Sequence, residues 1–71
     1  MYKDMTLEEY TNRVKKIVFL KTGDREYVNK LDKGIERSYT QAKELESILG
    51  YGTPDPTGYA LGVMMMYPEV P

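Results

Sequence analysis

The sequence predicts a small all-α protein. Three features carry that reading: a capping box ahead of an amphipathic stripe, a heptad seam kept for three repeats, and a cluster of turn formers before a short apolar segment. Together they describe a helical hairpin or three-helix arrangement with one long central helix, in a single domain over 1–71.

The first helix is expected over about residues 7–21. Thr6 and Glu9 have the capping-box spacing, in which hydroxyl and carboxylate each satisfy a backbone N–H, and Met5 can staple the entry from outside. Leu7, Tyr10, Val14 and Ile17 then recur at spacings of three, four and three, which draws one stripe along a helix. Gly23 supplies the left-handed residue that ends it.

Asp24 caps the second helix, expected over about 25–49. Val28, Leu31, Ile35, Ser38, Ala42, Leu45 and Leu49 alternate three and four apart, a heptad seam with a small middle. Gly34 costs roughly 1 kcal/mol against alanine there. The seam keeps its phase through Gly34, so one continuous helix is the expectation. Gly50 closes it.

The stretch "GYGTPDPTG" forms a loop at 50–55. Asp55 and Pro56 then make an N-cap with proline at the first helical position, so residues 56–71 begin as a short helix, to about 66, or form an apolar tail. Pro68 stops any helix before it. This last helix is expected to fold back on the second half of the long one, where Ser38 and Ala42 leave room.

A 71-residue chain buries only about 60% of its unfolded surface and has a marginal core. There is no cysteine for a disulfide or thiolate metal site, and no histidine for base chemistry or metal ligation. A protein partner or a homo-oligomer is the support left to it. The longest apolar runs, "IVFL" and "VMMMY", fall far short of a membrane span. The first ten residues lack a signal-peptide core, which makes the cytoplasm the expected location. The lysine- and tyrosine-rich, alanine-poor usage suits an AT-rich genome, such as that of a low-GC bacterium or its phage.

Net charge is −1, unevenly spread. Residues 13–43 hold nine bases and four acids, while the rest holds Lys3 against seven acids. Lys30, Lys33 and Arg37 share a face roughly opposite the seam and could contact phosphates, with Arg13, Lys16 and Lys21 nearby. Nucleic-acid binding is therefore the second reading. Glu26, Asp32 and Glu36 interleave with these bases, and Glu26–Lys30 and Glu9–Arg13 read as ordinary ion pairs on a solvated face.

No phosphate-binding glycine loop or nucleophile elbow is present, and the Asp32/Glu36 pair sits among lysines. An enzyme is not expected, nor a cofactor or metal. The run Met64–Met65–Met66 turns about 100° per residue, so its members cannot share one core face. The last helix is apolar nearly all round, and methionine suits adaptable binding surfaces. Tyr59, Leu61, Val63, Met64, Met65 and Tyr67, with Leu45 and Leu49 on the far half of the seam, are the expected partner or self-interface. The function expected is that of a non-catalytic interaction module working by helix docking: a regulator, adaptor or assembly factor of phage or mobile-element type.

Overall fold

Thr6 opens the first helix as the sequence predicts. In the computed structural model, which describes residues 5–50 and 54–70, its hydroxyl accepts from the Glu9 N–H at 3.1 Å and the Glu9 carboxylate accepts from the Thr6 N–H at 3.0 Å. Helix α1 follows over Leu7–Thr22 and ends at Gly23, whose φ of 67° suits a residue without Cβ. The Gly23 N–H returns to the Phe19 carbonyl at 2.7 Å.

The expected single helix over 25–49 is divided in two. Asp24 caps α2, Arg25–Asn29, by accepting from the Tyr27 N–H at 2.9 Å. Helix α3 is Asp32–Leu49. Between them the Lys30 N–H is shared by the Glu26 and Tyr27 carbonyls, and the Leu31 N–H reaches Val28 instead of Tyr27. One turn is tightened and the ladder broken there. Backbone angles at Lys30 and Leu31 stay in the right-handed helical region, so the seam keeps its phase across the break. Periodicity therefore could not register it. The break falls before Gly34, which is itself inside α3.

Helix α4, Pro56–Met64, has the expected Asp55 cap, which accepts from the Thr57 N–H at 3.1 Å. It ends two residues earlier than expected. Beyond it the Met66, Tyr67 and Glu69 N–H groups bond three residues back, a tighter winding that Pro68, with no N–H to give, brings to a close. Of the expected loop at 50–55, residues 51–53 lie outside the described residues.

Packing is organised around α1. Helix α3 runs antiparallel to it: Lys15 pairs with Asp32 at 2.6 Å, Tyr10 meets Ser38, and the Tyr39 hydroxyl reaches the Met5 carbonyl at 2.7 Å. Helix α4 packs chiefly on α1, not on the second half of α3 as the spacing suggested, and it runs in the same sense as α1, since Tyr59 lies by Tyr10 while Val63 and Tyr67 lie by Tyr27 and Asp24. Beside Ser38 the approach is made by Tyr10 of α1, and α4 contributes only the Tyr59 side chain near it. The buried cluster joins Met5, Tyr10, Val14, Val18, Tyr27, Val28, Leu31, Ile35, Ala60 and Val63. Pro54, expected only as a breaker, and Pro56, expected at the first helical position, are both fully buried. The outline is a rod of 36 × 19 × 16 Å, because α3, about 27 Å long, runs on past the start of α1. No helix among the described residues is long and apolar enough to cross a membrane.

Gly34 is explained by close approach. A Cβ there would stand 2.6 Å from the Tyr59 hydroxyl oxygen but 3.9 Å from Tyr59 Cζ. Gly34→Ala should therefore gain little or lose stability in the native background. In a Tyr59→Phe background the same change should recover about 1 kcal/mol of helix propensity. A double-mutant cycle from urea titrations measures the coupling, and strict additivity would count against the contact.

Candidate interaction surface

The seam is covered for half its length. Val28, Leu31 and Ile35 are 6%, 1% and 0% exposed; Ser38 and Ala42 are half-buried; Leu45 and Leu49 are 53% and 55% exposed. Ile48, beside them, is 77% exposed. Nothing among the described residues covers this far end of α3, because α1 has already begun level with Tyr39.

The α4 residues separate into three groups. Val63 is 3% exposed and belongs to the core cluster, so it lies beneath the surface that Leu61 and Met65 present. Tyr59 and Met64 are half-buried against the same core. Leu61, Met65 and Met66 point outward, with Met65 at 87%. The three adjacent methionines thus diverge, Met64 toward the core and the other two toward solvent.

Tyr67 is partly exposed yet engaged. Its hydroxyl donates to Asp24 Oδ2 at 3.0 Å, and its ring stands edge-on to Tyr27 at 4.7 Å between centroids. The Tyr27 hydroxyl in turn faces the carbonyls of Val63, at 3.3 Å, and Glu69, at 3.1 Å. The segment after α4 is therefore tied to the α1–α2 corner. This places the two expected apolar sets at opposite ends of the rod: Leu45 and Leu49 beyond Tyr39, Met65 near Asp24. The structure does not bring them together within one molecule.

The basic residues are more dispersed than their sequence spacing implied. Lys30, Lys33 and Arg37 are all exposed. Lys33 and Arg37 line an open groove on α3 with Thr40 and Gln41, but Glu36 and Glu44 line it too. Asp32, half of the carboxylate pair, faces Lys15 instead of a pocket. A second groove between α1 and α4 is lined by Asn12, Arg13, Lys16, Ile17 and Thr57. No group of three or more His, Cys, Asp or Glu side chains among the described residues is arranged to hold a metal ion.

Sequence reasoning missed the tyrosine network. Tyr10 lies 5.3 Å from Tyr39 and 6.4 Å from Tyr59 between ring centroids, and its hydroxyl pairs with Ser38 Oγ at 3.0 Å. Seven tyrosines against one phenylalanine was the available signal, since a buried phenol needs a partner and a phenyl ring does not. No protein-family model, curated protein or solved structure matches the chain.

The network fixes an alkaline limit. Burial pushes the Tyr10, Tyr27 and Tyr59 hydroxyls above the ordinary phenol range, and the bond to Asp24 pushes Tyr67 the same way. Raised values mean that the fold favours the protonated phenols. Their contribution is complete below about pH 10, the unfolded value, and is lost as pH rises through the folded values. Asp24 and Glu9 are lowered by the backbone N–H groups they cap, so their contribution is lost as pH falls below about 4. Tyrosinate absorbance and helical circular dichroism should change together on alkaline titration. Ionisation of all seven phenols near 10 with the helices intact would contradict the network.

Proposed function

We propose that the chain is a non-catalytic protein–protein interaction module that acts by helix docking, as a regulator, adaptor or assembly factor. The observation that supports it most is the seam that is filled at Val28, Leu31 and Ile35 and left open at Leu45 and Leu49. A marginal core gains by covering such a face, at roughly 25 cal/mol per Å² of apolar surface removed from water. Met65 and Leu61 on α4 offer a second apolar site, and methionine adapts to varied partners. Tyr59, Met64 and Tyr67 support this site from beneath, and Val63 anchors it to the core. The reading keeps the cytoplasmic location and the phage or mobile-element origin expected from the sequence.

Nucleic-acid binding through Lys30, Lys33 and Arg37 stands second. Glu36 and Glu44 in the same groove weaken the field that a phosphate backbone would meet. That reading requires a salt-dependent shift of DNA or RNA that disappears when the three bases are changed to glutamate.

The test is the mass of the species purified gently from its own source cells, by light scattering and mass spectrometry. A complex heavier than the 8.2 kDa chain is expected. Met65→Glu or Leu45→Glu should dissolve it while leaving helicity and urea midpoint within about 0.5 kcal/mol of the parent, as for exposed positions generally. A bare monomer, or a variant that unfolds, would overturn the proposal.

A further inference from the structure

Antiparallel packing of α3 on α1 converts the charge pattern of the sequence into an axial one. Residues 15–34 and 63–70 occupy the half of the rod that holds the α1–α2 corner, and they carry six bases to four acids. Residues 5–14, 35–50 and 54–62 occupy the other half, with three bases to six acids. Each half also bears uncovered apolar side chains. The acidic half ends in the bare turns of α3 around Ile48. The basic half presents Met65 on α4 and Leu20, 72% exposed, on α1.

From this arrangement we propose that the occupant of the open α3 seam is a second copy of the same chain, docked head to tail: the acidic tip around Leu45 and Ile48 of one molecule against the basic end around Leu20 and Met65 of the next. This rests on the interaction-module reading and names its partner. Three modes of self-contact are available. Tip against tip opposes two acidic halves, and base against base opposes two basic ones. Only tip against base joins opposite charges while covering apolar groups on both sides. Such a contact uses different surfaces on the two partners, so it leaves an unused tip and an unused base and extends into an open chain unless the rotation closes. A few helical turns bury less than about 1,200 Å² in all, which makes the contact weak and dependent on concentration.

The test uses the full chain and two variants, Ile48→Glu at the tip and Met65→Glu at the base, each first checked for native helicity. Sedimentation over a concentration series should show the parent mass growing beyond two chains, and less so as salt is raised. Each variant alone should remain at 8.2 kDa. An equimolar mixture should form a two-chain species and stop there, because the intact base of one variant meets the intact tip of the other. Glu44→Lys with Glu46→Lys serves as a second tip variant and should lower assembly at low salt. A parent that stays at one-chain mass overturns the proposal. So does loss of assembly in only one of the two variants, which marks a symmetric contact, or a mixture that stays monomeric. If the parent is monomeric but the species from source cells carries a different protein that Met65→Glu releases, head-to-tail docking falls and the interaction module stands. If neither appears, both fall.

Discussion

Tyr10 is the point through which α1, α3 and α4 are held in one arrangement. It is almost wholly buried, its ring touches Tyr39 and Tyr59, and its hydroxyl pairs with Ser38. A phenylalanine would fill the same volume and leave Ser38 without that partner; a leucine would lose both rings. The single phenol thus fixes the height of α3 along α1 by a directional bond and the seat of α4 by ring contact. In a core this small, directional contacts do what sheer apolar area does in larger proteins, which is to select one packing among several of similar burial.

The length of α3 follows from that register. With Ser38 level with Tyr10 and Tyr39 level with Met5, the ten residues beyond Tyr39 have no part of α1 beside them. The same register sends the acidic last turns of α3 and the acidic first turn of α1 to one end. It gathers the lysines of late α1, Arg25 of α2 and Lys30 at the other. Shape, polarity and the open seam are thus three results of one alignment. The alignment itself is set by a hydroxyl, a tilted ring contact and the Lys15–Asp32 pair.

Much of this was legible in the chain. The cap residues Thr6, Asp24 and Asp55 and the closing glycines Gly23 and Gly50 stand where local chemistry puts them, because a cap is a short-range bond that spacing specifies. The break after Asn29 was not legible, since it removes one hydrogen bond without shifting the seam. The seat of α4 was not legible either. Small residues at Ser38 and Ala42 signal that something approaches, but not which element does, and Tyr10 arrives from the nearer helix. For the surface, exposure at Leu45, Leu61 and Met65 could be argued from excess apolar residues over available core. The inward turn of Val63 depended on which way α4 runs, and periodicity within one short helix is silent on direction.

Residues 67–70 are held to the α1–α2 corner chiefly by Tyr27 and Tyr67. The Glu69 carbonyl is met by the Tyr27 hydroxyl, while the Val63 carbonyl has backbone donors from Met65 and Met66 besides that same hydroxyl. One phenolic proton is thus divided between a group that has other partners and a group that leans on it. If residues 67–70 swing away, α4 keeps the bonds that Met65 and Met66 give it, while the Tyr27–Glu69 and Tyr67–Asp24 bonds and the Tyr27–Tyr67 ring contact are lost. Opening there leaves the four helices in place, whereas opening at Met5 uncovers a core residue whose carbonyl is held by Tyr39. The two termini are therefore unequal as points of attachment. A label or fusion joined behind Glu69 leaves the helices as they are but stands over the basic end of the rod, whereas one joined ahead of Met5 presses on the contact that sets the alignment of α3.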